Sequence, residues 1–386
     1  MINASAFLKP CLERGFDFFT GTPCSYLKPF INYVIDGDEF KFIDATNEGD
    51  AVAMAAGVTL AGGRSIVMFQ NSGLGNAVNP LTSLISIFQI PLMLIITHRG
   101  NPEGEKDEPQ HDLMGRITTQ MLDVMKISWA PFPNRSELVA EALMAADDCL
   151  TQEQKPFAFL MQKGDVESYE LDHTHTADHT ATATIDKKPF ALAYGQRASR
   201  AAVLAVIQSV AGDGCAVIAT TGFTGRELYA NDDRDNQLYM VGSMGCALPL
   251  GFGVAVTKPN VKVYVVDGDG ALLMRTGAMA TVGSRCPDNL IHILLDNEVH
   301  DSTGGQSTVS VSVDFTDVAA GFGYKWIFAT DSLAQFTQLM ARTGSMQGPV
   351  FIHFKTRKGA PSGLVRPSIT PVEVKHRFIN YLRKIA

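Results

Sequence analysis

The chain contains no long apolar run, no paired cysteine motif and no nucleotide-binding glycine motif. None of its hydrophobic stretches reaches the roughly 18 residues that a membrane span requires, which argues against an integral membrane protein. The six cysteines are scattered without a CxxC pair, which indicates a reducing compartment and no zinc site. Neither GxGxxG nor GxxxxGK(S/T) occurs, so the sequence gives no support for a Rossmann dinucleotide site or a P-loop.

The chain also has fewer basic than acidic residues. There are 32 lysine and arginine residues against 40 aspartate and glutamate residues, and the formal net charge is −8. This balance argues against nucleic acid or an anionic membrane as a partner. An acidic protein that handles an anionic substrate must concentrate its positive charge locally. The N-terminal sequence, which carries charged residues and lacks the apolar core of a signal peptide, predicts a cytoplasmic protein.

Helical and strand patterns alternate along most of the 386 residues, which predicts an α/β fold with parallel sheets. Apolar runs predict strands at 16–19, 40–43, 65–69, 91–97, 157–161, 216–220, 261–266, 290–295 and 350–354. A polar Thr/His/Ala tract predicts a linker at 173–189 between domains at 1–172 and 190–386. Histidines in this tract could bind a metal, but a solvated linker explains the composition more simply. Each half is long enough to bury its own core.

The strongest motif lies at the ends of two predicted strands, 261–266 and 290–295. The first strand ends in a Gly-Asp-Gly turn that contains Asp269, and Asn297 follows the second. Strand, turn, helix and strand form one βαβ unit, so both turns should lie at the carboxyl edge of a parallel sheet, where Asp269 and Asn297 converge. A carboxylate and an amide oxygen suit Mg²⁺. Asp-Gly is also a common turn, but the matching position of Asn297 favours a metal site.

This pairing of Gly-Asp-Gly with a later Asn resembles the signature of thiamine diphosphate enzymes. The resemblance implies thiamine diphosphate and Mg²⁺ as cofactors, with Asp269, the Asn297 side chain and the Val299 carbonyl as metal ligands. It also implies two doubly wound parallel-sheet domains of the thiamine diphosphate-binding fold, the pyrimidine-binding domain first, the diphosphate-binding domain second and no middle domain. Many relatives carry Asn-Asn where this chain has Asp296-Asn297, and because the second residue is the ligand, the departure is mild.

Further cofactor contacts in the second half are implied by the same resemblance. Met244, in a Gly-Ser-Met-Gly segment, would be the wedge that bends the cofactor, although methionine is also a common core filler. Glycine amides and a helix N-terminus would hold the diphosphate. The predicted cofactor-binding residues in this half are Thr221, Gly222, Gly242, Ser243, Met244, Gly268, Asp269, Gly270, Asn297, Val299, His300 and Ser302.

Glu48 follows a predicted strand and opens an Ala-rich helix. On sequence alone, a first-turn glutamate favoured by the helix dipole is the simpler interpretation. The resemblance reverses it, because thiamine diphosphate enzymes place one glutamate here to hydrogen-bond the aminopyrimidine ring and to promote loss of the thiazolium C2 proton. A carboxyl in an apolar pocket has a raised pKa and can share that proton. Asn71 and Ser72 lie in a loop that approaches the thiazolium in the family, or that merely caps a helix.

Three histidines are candidates for proton transfer. His98 ends a predicted strand, His111 lies in a polar loop, and His300 follows the predicted metal ligands. A lone histidine is usually structural. His111 is the best placed of the three and is the predicted catalytic histidine.

Two loops of the first half indicate which class of substrate the protein binds. The turn at 21–25 matches one in thiamine diphosphate-dependent 2-oxoacid decarboxylases, but Ser25 stands where pyruvate decarboxylases carry a catalytic Asp. Two like charges at ~4 Å repel by several kcal/mol at an effective dielectric near 20, so a serine there, predicted as catalytic and substrate-binding, would accept a substrate with a second anionic group. Arg99 and Lys28 could add positive charge. A capping Ser25 and a surface Lys28 are the alternatives.

The segment Lys-Asp-Glu-Pro-Gln-His at 106–111 resembles the loop of family members that act on a phosphonate, which adds Asp107 and Gln110 to the predicted substrate residues. The implied reaction is decarboxylation of 3-phosphonopyruvate to phosphonoacetaldehyde and CO₂ in phosphonate biosynthesis. Decarboxylation of sulfopyruvate, a carboligase and a non-catalytic module stay open as alternatives, although the intact Glu48 and metal ligands count against the last. Family active sites lie between two chains, which implies a homo-oligomer, at least a dimer.

Overall fold

Two units make up the computed structural model, which describes residues 1–172 and 183–385. They are Met1–Thr176 and Ala177–Ala386, called below the N-terminal and C-terminal units. The division falls within the predicted linker, most of which lies outside the described residues. The last part of that prediction needs correction, because Thr184–Lys187 forms a strand at the edge of the second sheet.

The N-terminal unit is a parallel sheet flanked by helices. Its helices and strands, in chain order, are α1 (Ala4–Glu13), β1 (Phe16–Gly21), α2 (Lys28–Asp36), β2 (Lys41–Asp44), α3 (Glu48–Leu60), β3 (Arg64–Gln70), α4 (Leu74–Pro80), α5 (Ser86–Phe88), β4 (Met93–Thr97), α6 (Asp112–Val124), β5 (Ser128–Pro131), α7 (Ser136–Thr151) and β6 (Phe157–Met161). Among the described residues the sheet has the order β2-β1-β3-β4-β6-β5, and every neighbouring pair is parallel.

The C-terminal unit repeats this plan. Its elements are β7 (Thr184–Lys187), α8 (Arg200–Val210), β8 (Cys215–Ala219), α9 (Phe223–Asn231), β9 (Gln237–Tyr239), α10 (Ala247–Thr257), β10 (Lys262–Gly268), α11 (Asp269–Met274), α12 (Gly277–Arg285), β11 (Leu290–Asp296), β12 (Val299–His300), β13 (Gln306–Ser307), α13 (Phe315–Gly321), β14 (Trp326–Thr330), α14 (Leu333–Thr343), β15 (Val350–Lys355) and α15 (Pro371–Lys384). The large sheet of the described residues runs β7-β14-β15-β11-β10-β8-β9 with parallel pairing, and β12 and β13 form a short antiparallel pair.

The central strands and two apolar helices form the cores. Every residue of β4 and of β11 is buried, as expected for parallel strands covered on both faces. Helix α3 carries Glu48 and Asp50 in its first turn, and its remaining residues are mostly small or apolar and are buried around the helix, except for the half-buried Thr59. Helix α10 is equally apolar and lies against β10. These rigid elements fix the loops that follow the strands.

The predicted fold class is confirmed: both units are doubly wound parallel α/β sheets. All the strands expected from apolar runs are present, with their ends shifted by at most two residues, while β5, β7, β9, β12, β13 and β14 were not predicted. In the described part of the chain, no helix is both long enough and apolar enough to cross a bilayer.

Candidate functional site

A cleft in the C-terminal unit lies at the carboxyl edge of its sheet. Strands β10 and β11 pair in parallel, with Gly268 opposite Leu295, so the turns that follow them meet at one edge. Asp269 and Asn297 both line the cleft there. The convergence predicted from the βαβ pattern is therefore observed.

Most of the predicted cofactor residues of this unit line the same cleft. These are Thr221, Gly222, Met244, Gly268, Asp269, Gly270, Asn297, Val299, His300 and Ser302. Gly242 and Ser243 do not line it but directly precede Met244 in the chain. Arg200 and Asp301 also line the cleft. Neither residue was predicted, because neither belongs to a local sequence motif that could have identified it.

Asp269 is a buried carboxylate, 3% exposed. It begins helix α11, and one of its oxygens accepts a hydrogen bond from the Thr308 hydroxyl. Burial raises the pKa of Asp269, and the nearby Asp296 carboxylate raises it further. A bound cation would stabilise the ionised carboxylate that this environment disfavours.

Asn297 is equally buried, and its amide has a defined orientation. The Nδ2 group donates to the Asp301 carboxylate at 2.7 Å, while Oδ1 lies 3.3 Å from the Val299 N–H. Asp269 and Asn297 thus offer oxygen atoms to one cleft, a donor set that suits Mg²⁺. No cluster of three or more His, Cys, Asp or Glu side chains suited to a metal occurs within residues 1–172 and 183–385.

The floor of the cleft is glycine-lined. A Cβ on Gly270 would lie 2.5 Å from the His300 ring and 3.1 Å from the Met244 methyl group, so only glycine leaves room where these two side chains meet. Gly222 has φ +93, and its backbone precedes helix α9. The buried Thr220 hydroxyl, also on the cleft wall, has no hydrogen-bond partner in the described part of the chain. These features fit a phosphate-bearing ligand bound on backbone amides.

In the N-terminal unit, Glu48 is fixed by side chains from two other segments. Its Oε1 accepts from the Thr22 hydroxyl at 3.0 Å and its Oε2 from Asn76 Nδ2 at 2.8 Å. A Cβ on Gly73 would lie 2.4 Å from Glu48 Cγ and 2.5 Å from the carbon and Oε1 of its carboxyl group, so a glycine leaves room for the Glu48 side chain here. The sequence did not assign roles to Thr22 or Asn76. Thr22 lies in the turn at 21–25, and Asn76 lies in helix α4, shortly after the segment of Asn71 and Ser72.

Ser25 and Arg99 lie together, as the substrate prediction requires, but Arg99 is not a free cation. Asp107 accepts from Arg99 Nε at 2.6 Å and from Nη2 at 2.5 Å, which leaves Nη1 to face the Ser25 hydroxyl at 3.3 Å. The Tyr26 ring lies 4.7 Å from the guanidinium carbon, and its hydroxyl donates to Asp107. The hydrogen bond from Arg99 holds the pKa of Asp107 well below its usual range.

The surroundings of four other predicted residues, Lys28, Gln110, Asn71 and Ser72, are as follows. Lys28 is exposed and pairs with Glu170 at 2.8 Å, so its charge is matched at the surface. Gln110 is exposed. The Asn71 side chain is fully buried and donates to the Arg99 carbonyl and the Thr118 hydroxyl. Ser72 is exposed and accepts from Gln70.

The three candidate histidines have different surroundings. His98 is buried, with Nε2 2.7 Å from the Gly115 carbonyl and Nδ1 near Gln162, which is a structural role. His111 is 7% exposed, and its Nδ1 has no hydrogen-bond partner among the residues that the structure describes. His300 lies over Gly270 in the cleft.

Comparison with known families accounts for both units. Residues 2–125 match the family model described as the thiamine pyrophosphate enzyme N-terminal TPP binding domain, and residues 214–354 match the C-terminal TPP binding domain. The solved thiamine diphosphate-dependent 4-hydroxybenzoylformate decarboxylase of Rhodococcus jostii RHA1 has the same fold, with a TM-score of 0.71, 14% identity and coverage of 94% of this chain and 100% of that one. The fold and the site define a thiamine pyrophosphate enzyme, whose cofactor is thiamine diphosphate (the same compound) with Mg²⁺ as its usual metal.

Two relatives show to which decarboxylases within this family the chain is similar. The phosphonopyruvate decarboxylase of Streptomyces viridochromogenes is 43% identical over 98% of this chain and 94% of its own length. The sulfopyruvate decarboxylase of Methanosarcina acetivorans is 28% identical over 95% of this chain and 94% of its own length. The chain belongs to the phosphonopyruvate decarboxylase family.

Proposed function

We propose that this enzyme decarboxylates 3-phosphonopyruvate to phosphonoacetaldehyde and CO₂, with thiamine diphosphate and Mg²⁺, as a carbon–carbon lyase of phosphonate biosynthesis. The observation that carries the proposal is the arrangement of Ser25 and Arg99. A hydroxyl and a guanidinium N–H face each other there, at the position where pyruvate decarboxylases carry a carboxylate. Hydrogen-bond donors at this position favour a substrate with a second anionic group.

The cleft of the C-terminal unit supplies the groups that would hold the cofactor. Asp269, Asn297 Oδ1 and the Val299 carbonyl are the proposed Mg²⁺ ligands, and the amides near Thr221, Gly222 and the glycine-lined turn would bind the diphosphate. Thiamine diphosphate, when bound, supplies a carbon nucleophile and an electron sink for the pair released with CO₂.

Glu48 has the proposed role of proton partner of the aminopyrimidine ring. Thr22 and Asn76 each donate a hydrogen bond to its carboxyl group, which fixes its position. A carboxyl held in this way can share a proton with a ring nitrogen without having to be reoriented. His111, buried with an unpartnered Nδ1 in the described structure, is the proposed proton donor to the product carbon.

The anion site that we propose uses only part of Arg99. Because Asp107 already binds Nε and Nη2, the donor left for a phosphonate oxygen is Nη1, next to the Ser25 hydroxyl. Asp107 therefore acts by holding the guanidinium in place on the Tyr26 ring. Lys28, whose ammonium group is paired with Glu170, and the exposed Gln110 have no corresponding support as substrate ligands.

The assembly and location are proposed on sequence grounds. The family resemblance implies a homo-oligomer, at least a dimer, in which two chains share each active site. The six cysteines are all free thiols, which fits a reducing compartment such as the cytoplasm.

The direct test compares substrates under identical conditions. The purified chain, loaded with thiamine diphosphate and Mg²⁺, is given phosphonopyruvate, sulfopyruvate or pyruvate, and CO₂ release is measured to obtain kcat/KM. The proposal expects phosphonopyruvate to have the highest value. A higher kcat/KM for sulfopyruvate would show that the enzyme is a sulfopyruvate decarboxylase. Activity on pyruvate alone would show that Ser25 and Arg99 do not form a site for a second anionic group.

A further inference from the structure

The orientation of the Asn297 amide decides whether it can bind a cation. Its Oδ1 can coordinate a metal, whereas its Nδ2 presents two N–H donors that repel one. The two ends have nearly the same shape, so packing alone cannot select between them. Hydrogen-bond partners can: the Val299 N–H donates a long hydrogen bond to Oδ1 at 3.3 Å, and Nδ2 donates to the charged Asp301 Oδ2 at 2.7 Å, which is the shorter and stronger of the two.

Asp301 is itself held rigidly. Its carboxylate accepts from the Gly359 N–H at 3.0 and 3.1 Å and from the Arg200 guanidinium at 3.4 Å. Arg200 is anchored in turn by Glu227 at 2.9 Å. The Asp301 side chain is 10% exposed and that of Arg200 is 7% exposed. The carboxylate therefore cannot easily turn away from Asn297.

We propose that Asp301 is a positioning residue that orients the Asn297 amide with its oxygen toward the metal. The inference rests on the proposed role of Asn297 as a Mg²⁺ ligand. Turning the amide over would place Oδ1 against the Asp301 carboxylate, where two acceptors repel, and would point N–H groups at the cation. Both changes are unfavourable, so the Asp301–Arg200 pair selects one orientation. Groups that orient metal ligands commonly control affinity in this way.

The test measures metal affinity, independently of turnover. The full chain is freed of metal with a chelator and saturated with thiamine diphosphate, and Mg²⁺ binding is measured by calorimetry. Asp301→Asn should weaken Mg²⁺ binding by about 10- to 100-fold, the usual range for residues behind a metal ligand. Asp233→Asn is the matched control, because Asp233 also pairs with an arginine, Arg377 at 2.7 Å, and does not line the cleft.

An exchange of the two side chains separates orientation from general support of the fold. In the double variant Asn297→Asp with Asp301→Asn, the ligand has two equivalent oxygens and accepts a hydrogen bond from the new amide. Mg²⁺ affinity should return to within about threefold of the unmodified chain, although Arg200 still lacks its carboxylate partner. If Asp301→Asn alone does not fold, the double variant still tests the proposal, because its Mg²⁺ affinity should lie within about threefold of that of the unmodified chain.

Two results would overturn the inference: unchanged Mg²⁺ affinity in Asp301→Asn, or a double variant that binds Mg²⁺ as weakly as Asp301→Asn does. The second result would mean that Asp301 acts only through Arg200 and the fold. Failure of the underlying metal assignment looks different, because Asn297→Ala would then bind Mg²⁺ as tightly as the unmodified chain.

Discussion

At the scale of single residues, the site combines groups that the sequence identifies with groups that it does not. Asp269 and Asn297 could be predicted because strand ends and glycines mark their positions locally. Thr22, Asn76 and Asp301 could not, because each acts through a partner that only the folded chain brings close. For Asn71, the folded chain adds contacts that the sequence does not predict, because its buried amide donates to the Arg99 carbonyl and the Thr118 hydroxyl.

Glu48→Gln should bind the cofactor but exchange its C2 proton slowly. An amide cannot share a proton as a carboxylic acid does, and loss of one acid–base group typically costs on the order of 10²- to 10⁴-fold in rate. The measurement is C2 hydrogen–deuterium exchange by NMR in the loaded enzyme. Glu137→Gln, an exposed first-turn glutamate of α7, should exchange at the unmodified rate. If the C2 proton exchanges at the normal rate in Glu48→Gln, a group other than Glu48 activates the cofactor.

Ser25→Asp should lower kcat/KM for phosphonopyruvate much more than for pyruvate. The new carboxylate would compete for Arg99 Nη1, now 3.3 Å from the Ser25 hydroxyl, and would repel a phosphonate by about 4 kcal/mol at 4 Å and an effective dielectric of 20. The phosphonopyruvate-to-pyruvate ratio of kcat/KM distinguishes this effect from general damage, which would lower both values alike.

Arg99→Ala should shift the ratio in the same direction, because it removes an attraction. Lys28→Ala is its control: that ammonium pairs with Glu170 at the surface, and its loss should leave the ratio unchanged. If Ser25→Asp leaves the phosphonopyruvate-to-pyruvate ratio of kcat/KM unchanged, the serine has only a structural role in the turn.

At the scale of elements, apolar runs predict most of the central strands, but β14, inside the second sheet, and the buried three-residue strand β9 were missed along with strands at the sheet edges. Strands such as β4 and β11 are continuous apolar runs because both faces of a parallel sheet are covered. Strands β5 and β7 lie at sheet edges, and all four residues of β7 are exposed, so their sequences carry no such run. The polar composition that predicted a linker at 184–187 is the composition of an exposed edge strand.

Helix α6 controls the position of Arg99, and Gly115→Ala should disturb it. A Cβ on Gly115 would lie 1.7 Å from the Gly100 carbonyl oxygen, so the helix must move away from the loop that carries Arg99. Overpacking of this kind costs typically 1–3 kcal/mol. The expected results are a lower Tm and a larger loss of kcat/KM for phosphonopyruvate than for pyruvate.

The control for this change is Gly321→Ala. That glycine ends helix α13, and an added Cβ would have no atom within 4 Å, so neither Tm nor selectivity should fall. An unaltered Tm in Gly115→Ala would show that the close approach of helix and loop is not required.

At the scale of the whole molecule, the proposed chemistry is divided between the two units. Glu48, Ser25 and Arg99 belong to the N-terminal unit, whereas Asp269 and Asn297 belong to the C-terminal unit. The resemblance to thiamine diphosphate enzymes implies that two chains contribute to each site. This arrangement of chains, unlike the fold, depends on surfaces whose pattern the sequence does not reveal.

Mixing two inactive variants tests the shared site. Glu48→Gln leaves the C-terminal unit intact and Asp269→Ala leaves the N-terminal unit intact. If each site takes one unit from each chain, random reassociation to dimers should restore about a quarter of the unmodified activity, because half the dimers are mixed and one of their two sites is complete. Each variant alone is the control. Sites formed within one chain would give no recovery.

The most direct measurement follows 3-phosphonopyruvate by ³¹P NMR in the presence of the enzyme, thiamine diphosphate and Mg²⁺. The account predicts that its resonance is replaced by that of phosphonoacetaldehyde, with one CO₂ per product. Omission of the cofactor should abolish the conversion, and Glu48→Gln should slow it by about 10²- to 10⁴-fold. A resonance that persists with the loaded, unmodified enzyme, while sulfopyruvate or pyruvate is consumed, would contradict it.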